Sequence, residues 1–286
     1  MARVVAADPR PFVLDGWPGQ RLGVGEQPLA VVLLELRALA VAREAGALAL
    51  GGFRRQMAIR EKGTRDLITE FDLASERLIR SRLTELTPQI AVVGEEEGGE
   101  RDAERVWYCD PIDGTTNYAH GHPIWCVSIG VAEGDLPIAG AVVAPALGLE
   151  WSGHVGGPAL RNGEPCRVST TTTLEQALLA TGFPRERERE PDNNFATFVG
   201  VKKRCQAVRR CGAAAMDLCF VADGTYDGYW ERRLAPWDLA GGAAIVLAAG
   251  GQLSHLNGGP LRLAEGHVIA TNGVIHPALA ELVRAP

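Results

Sequence analysis

The spacing of apolar and polar positions divides the chain into a helical start, a strand-rich middle and a mixed end. Pro28 to Leu50 is the most apolar stretch, but Glu35, Arg37, Arg43 and Glu44 interrupt it. A membrane span needs about 20 mostly uncharged residues, so this stretch predicts a buried amphipathic helix. It should run to about Ala45, with Gly46, Gly51 and Gly52 weakening its end. Leu73, Leu78, Ile79, Leu83 and Leu86 fall near helical spacing and predict a helix over Asp72–Leu86, with Pro88 just beyond it. Ile90–Val93 and Arg105–Cys109 read as strands, the second running straight into Asp110. From Ile124 to Ser152 the pattern changes to strands, IWCVSIGVA, PIAGAVVAP and then LEWSGHV, separated by turns, and Asn162-Gly163 predicts a hairpin. Ala177–Thr181 and His267–Thr271 read as further strands. Phe195–Cys205, Ala213–Ala222, Asp238–Ala249 and a short segment after Pro277 read as helices. Arg185 to Asp192 is a charged run whose ordinary meaning is a solvated loop or helix start. Residues 1–26 show no period and read as an extension before the fold.

This mixture of helices with an antiparallel-looking middle predicts an α+β or layered α/β class. Composition changes the picture little: 46% hydrophobic and 22% charged residues are ordinary for a globular chain of 286 residues. Charge narrows the partners. A net charge of −6 argues against a nucleic-acid surface, which needs clustered cations. The 6 cysteines form no C-x-x-C pair or zinc spacing, so they read as reduced thiols in a cytoplasmic protein. The N-terminus lacks the apolar run of a signal peptide.

The densest chemistry is DPIDGTTN, Asp110 to Asn117, placed after an apolar strand. Pro111 fixes one backbone angle and Gly114 permits a close approach, so two carboxylates should sit on a rigid loop among carbonyl and hydroxyl groups. Hard divalent cations want such oxygen ligands. Asp-Gly alone is a common turn, but the whole octet after a strand is far more specific. An aspartyl phosphatase loop has Asp-x-Asp, and the spacing here is Asp-x-x-Asp; the EF-hand pattern is absent. A second acidic run, Gly94-Glu95-Glu96-Glu97-Gly98-Gly99, also follows a strand. Alone it reads as a solvated turn; beside DPIDGTTN, Glu95 can reach the same cation. Asp72, ending DLITEFD, and Asp238, in PWDLAGG, each stand at a helix start, where the plain role is an N-cap.

Together the four elements resemble the inositol monophosphatase family, which carries D-L-V-T-x-x-D, G-E-E, D-P-I-D-G-T-T-N and W-D-x-A-x-G in this order. The resemblance covers about Asp66 to Asn272 and includes GAAAMDLCFVADGTYDGYWE over Gly212–Glu231. It implies a five-layered α-β-α-β-α fold, a homodimer, and Mg2+-dependent hydrolysis of a small phosphorylated substrate by metal-activated water. Residues 27–286 would form the catalytic unit, with subdomains at about 27–180 and 181–286. The family pattern places two or three Mg2+ ions on Glu95, Asp110, the Ile112 carbonyl, Asp113 and Asp238. It gives catalytic roles to Glu95, Thr115 and Asp72, with Asp72 paired to the Thr115 hydroxyl. Ile112, Asp113, Gly114, Thr115, Ala214, Glu231 and Asp238 would contact substrate. Two departures stand out: Ala248 replaces a usual Glu, and Gly157-Pro158-Ala159 replaces Gly-x-Gly-Ala.

His120 and His122 read as loop residues at the site rim, because Mg2+ prefers oxygen. Arg209-Arg210 and Arg232-Arg233 read as surface pairs, the second able to meet another anionic group. Inositol monophosphate is the expected substrate. Fructose-1,6-bisphosphatase, nucleotide 3′-phosphatase and histidinol-phosphatase are competing readings within the superfamily, and a non-enzymatic interaction protein is a fourth.

Overall fold

The computed structural model describes residues 28–189 and 191–284. The expected extension over residues 1–26 lies outside the described residues. Helix α1 spans Pro28–Gly52, and the hairpin strands β1 and β2 span Ile59–Gly63 and Asp66–Thr69. Helix α2 (Glu70–Leu86) leads into β3 (Ala91–Gly94) and β4 (Arg105–Asp113), followed by the short α3 (Thr115–Ala119). Strands β5 (Cys126–Glu133), β6 (Leu136–Ala144), β7 (Leu149–His154), β8 (Ala159–Arg161) and β9 (Glu164–Cys166) complete a seven-stranded sheet ordered β3 to β9. Only the β3–β4 pair is parallel in it.

The second half supplies β10 (Leu178–Thr181), α4 (Phe195–Lys202), β11 (Ala207–Arg209), α5 (Ala214–Ala222) and β12 (Gly228–Glu231). Helix α6 (Pro236–Ala248), β13 (Gln252–Ser254), β14 (Val268–Thr271) and α7 (His276–Arg284) finish it. Its five strands form a sheet ordered β11-β10-β12-β14-β13.

Three apolar cores stack these parts into five layers. Val127, Ile129 and Val131 of β5 pack with Val41 and Ala45 of α1 and Ile79 of α2. The opposite sheet face, with Val106, Tyr108 and Val142, packs with α5 and α6 and, beyond them, Tyr229 and Ala270 of the second sheet. The outer face of that sheet meets Val201 of α4 and Leu279 of α7. The order is α-β-α-β-α, as the resemblance implied. Because both faces of the first sheet are covered, its strands carry continuous apolar runs, which is why they were legible. Helix α6 lies unusually close to that sheet. A Cβ on Gly140 would stand 2.4 Å from the Gly241 carbonyl oxygen, and one on Gly130 2.3 Å from the Gly241 nitrogen. Ala248, the departure from the family Glu, packs against Gly153 in the same seam.

Several elements differ from expectation for tertiary reasons. Helix α1 continues to Gly52 because Gly46 packs on Val143 and Pro145, and Gly52 packs under the Phe71 ring. It is also less amphipathic than expected. Leu29, Leu33 and Leu36 are exposed, while Glu35 is buried between Ser152 (2.7 Å) and His154 (2.5 Å). The N-cap of α2 is Thr69; Asp72 sits three residues on and closes a capping box. Helix α6 starts at Pro236, so Asp238 is again the third residue rather than the cap. Helix α4 stops at Lys202, short of Cys205. The hairpin β1–β2, α3, and strands β11 to β13 had no clear period and were not anticipated. Asn162 and Gly163 form the expected hairpin turn, both at positive φ. Tyr229 and Trp230 are core residues, and Cys205 and Cys211 are only partly buried. Among the described residues no helix is long and apolar enough to cross a membrane.

Candidate active site

Strands β3 and β4 run parallel and end side by side at a cavity of about 770 Å³. Strand β4 does not stop at Asp110. It continues through Asp113 with a break in register between the two, so both carboxylates belong to the strand end. The Ile112 N–H donates to Asp110 Oδ1 at 2.9 Å, which holds the bulge. Gly114 then takes φ +92°, a turn that a side chain resists, and a Cβ there would also meet the Ile124 carbonyl at 3.0 Å.

Asp113 is held by the first turn of α5. Ala214 N–H donates to its Oδ1 at 3.2 Å and Ala215 N–H to its Oδ2 at 2.7 Å. These are helix-start donors with no partner inside the helix. Asp238 accepts the Ala235 N–H at 2.6 Å, which fixes it at the start of α6. Side-chain oxygens of Asp110, Asp113 and Asp238 thereby lie within 4.8 Å of one another. Burial, then the charges of Glu95 and neighbouring carboxylates, raises Asp110 well above the usual carboxylate range. Asp113 and Asp238 are raised as well, chiefly by burial. Three converging acids, Asp110 and Asp113 buried and Asp238 half-buried, repel one another, and a hard cation with oxygen ligands satisfies all three.

Asp72 reaches the site from α2. Its Oδ2 accepts the Thr69 N–H at 2.8 Å, and its Oδ1 lies 3.2 Å from the Thr115 hydroxyl. That hydroxyl is also 3.0 Å from the Ile112 carbonyl oxygen. Burial pushes Asp72 up to about 6 despite the Thr69 bonds. Glu231, at the end of β12, receives the Tyr229 hydroxyl and stands so close to Gly182 that a Cβ there would lie 1.9 Å away. Burial pushes Glu231 up to about 7. Ala214, Gly114 and Thr115 line the cavity between these acids.

Glu95 lines the cavity too, but its carboxylate is turned to cations: Lys62 Nζ at 3.1 Å and Arg185 Nη2 at 3.5 Å. Glu96 shares Lys62 at 2.7 Å. The turn bearing both is held from below by Glu76, fully buried on α2. Glu76 accepts the N–H groups of Glu96 (2.7 Å) and Glu97 (2.9 Å) and pairs with Arg80 at 3.0 Å. This is why Gly94 is glycine: a Cβ would lie 2.1 Å from Glu76 Oε1.

The structure brings every candidate residue read from sequence except Asp72 to the lining of one cavity, and Asp72 lies buried behind Thr115. His120 and His122 are exposed and do not line it. Sequence reasoning missed Lys62, Asp66, Glu76 and Arg185. The charged run from Arg185 is not simply solvated, because Arg185 pairs with Asp66 at 2.5 Å beside the acids. Asp66 opens DLITEFD, a signal that was present and unused; Lys62 and Arg185 had no motif to mark them.

A layered α-β-α-β-α chain thus converges three carboxylates on one polar cavity. The model of the inositol monophosphatase family matches residues 33–285. An inositol-1-monophosphatase of Synechocystis is 43% identical over 79% of this chain and 80% of its own length. The Nus factor SuhB of Pseudomonas aeruginosa is 39% identical over 86% of this chain and 94% of its own. The solved structure of an inositol monophosphatase from Anabaena (Nostoc) superposes with a TM-score of 0.83, at 37% identity, covering 90% of this chain and 98% of that one. The chain belongs to the inositol monophosphatase family, whose members are metal-dependent hydrolases of phosphomonoesters.

Proposed function

We propose that this protein hydrolyses inositol monophosphate, using two or three Mg2+ ions held by Glu95, Asp110, the Ile112 carbonyl, Asp113 and Asp238. The observation that carries the reading is the trio of carboxylates, two buried and Asp238 half-buried, whose oxygens meet within 4.8 Å. A bound divalent cation supplies Lewis-acid chemistry and screens the phosphate dianion. The chain's own groups do the rest. Gly114 and Thr115 bind the phosphate at the turn after β4. Asp72 orients the Thr115 hydroxyl by accepting its hydrogen bond, that hydroxyl with Glu95 orients the attacking water, and the Glu95 carboxylate takes up the water's proton. Glu231 accepts a polyol hydroxyl, and Ala214 shapes the wall beside it. Assembly as a homodimer in the cytoplasm belongs to the same proposal.

The test is phosphate release from inositol monophosphate with Mg2+, alongside fructose 1,6-bisphosphate, a nucleotide 3′-phosphate and histidinol phosphate. Asp113→Asn is expected to lower kcat at least ~100-fold at unchanged circular dichroism, because one anionic oxygen leaves the cluster. Near-normal Mg2+-dependent turnover in that variant refutes the assignment. A higher kcat/KM for another ester in the panel reassigns the substrate.

A further inference from the structure

Arg185 does two things that a solvated arginine does not. Its guanidinium reaches Asp66 Oδ2 at 2.5 Å and Glu95 Oε1 at 3.5 Å, and it lines the same cavity as Asp110, Gly114 and Thr115. Burial disfavours its charge, but Glu95, Asp66, Asp238 and Asp110 outweigh that and raise its pKa. Its backbone is also fastened. Arg65 donates to the Arg185 carbonyl at 2.9 Å and pairs with Glu188, and Arg232 pairs with Asp192 at 2.5 Å. The side chain itself remains 55% exposed, against 8% for Glu95, so the backbone is tethered while the head group keeps open space on one side.

We infer that Arg185 is a substrate-binding residue held in reserve, paired with Glu95 and Asp66 until divalent cations engage Glu95, and then turned to the phosphate of the ester. The inference rests on the metal-dependent reading above. Its physical basis is competition for one charge. Glu95 serves either the guanidinium or a cation, and a guanidinium released beside a phosphate finds an oxyanion that its planar fork fits. Metal and phosphate binding are then coupled through one side chain, each helping the other.

The test uses the full chain and two calorimetric titrations. In the first, Mg2+ is titrated without substrate into wild type and Arg185→Met. Removing the competing cation is expected to tighten Mg2+ binding about two- to fivefold, the scale of a half-exposed ion pair. In the second, inorganic phosphate is titrated at saturating Mg2+. The variant is expected to bind it about tenfold more weakly, with partial recovery in Arg185→Lys, which keeps the charge and loses the fork. Unchanged Mg2+ affinity or unchanged phosphate affinity in Arg185→Met overturns the inference while leaving the metal site standing. Wild type that binds no Mg2+ overturns the site reading and the inference with it.

Discussion

The turn that carries Glu95 offers a quantitative check on how the site is built. Replacing Glu76 with Gln keeps the side-chain shape but removes a charge that is fully buried and accepts two backbone N–H groups at 2.7 and 2.9 Å. One of those donors loses its acceptor, and the other loses the charge assistance. Hydrogen bonds to charged groups contribute about 1.5–3 kcal/mol each. Arg80 is not stranded, since it also donates to the carbonyls of Val92 (2.9 Å) and Gly98 (2.8 Å) and is partly exposed. The expected loss is therefore about 3 kcal/mol, at the low end for breaking a buried ion pair. Gly94→Ala should cost a similar amount by a different route, because its Cβ would stand 2.1 Å from Glu76 Oε1 and 2.3 Å from Cδ, driving the carboxylate out. If that is the mechanism, the two positions are coupled. In a Glu76→Ala background the methyl group finds room, and Gly94→Ala should then cost under about 1 kcal/mol. The assay is equilibrium urea unfolding in metal-free buffer, followed by circular dichroism and tryptophan fluorescence so that coincident transitions verify two-state behaviour. Additivity of the two substitutions to within about 0.5 kcal/mol would refute the reasoning.

Other outcomes follow from the same contacts. Gly140→Ala should destabilise by about 3 kcal/mol, since the new Cβ meets the Gly241 backbone at 2.4 Å and overpacked backbone cannot move aside; a loss under about 1 kcal/mol in urea unfolding contradicts the seam between α6 and the sheet. His276 is buried between Thr271 (2.9 Å) and Ser254 (2.9 Å), and burial with the Arg284 charge lowers its pKa to about 4. The unfolded chain takes up the proton near 6.5 and the folded chain only near 4, so this contribution is full above 6.5 and is lost as pH falls through that window. Relative to His276→Gln, wild-type stability should drop by about 2 kcal/mol between pH 7 and pH 5, and parallel pH profiles of the two proteins would refute it.

The acidic octet was legible because its residues lie on one continuous strand and turn. Asp110, Asp113, Gly114 and Thr115 need no distant partner to be placed together, and a resemblance carried by four such short elements also predicted the layered fold. Legibility failed where burial or neighbours override local preference. Thr69, rather than Asp72, caps α2, because Asp72 is needed facing Thr115. Strands β11 to β13 are three or four residues long and carry no readable period.

By itself, then, the sequence determined the apolar runs of a sheet covered on both faces, the two strand ends bearing acids, and the two helix starts that bring Asp72 and Asp238. Only the tertiary structure decided how those acids meet. Parallel pairing of β3 with β4 sets Glu95 beside Asp110, and the first turn of α5 grips Asp113. It also decided which cations answer them. Lys62 and Arg185 lie 33 and 90 residues from Glu95 along the chain, and neither has a local pattern. Electrostatic partners are chosen by proximity in space, and an isolated charge in a polar run carries no mark of where the fold will put it.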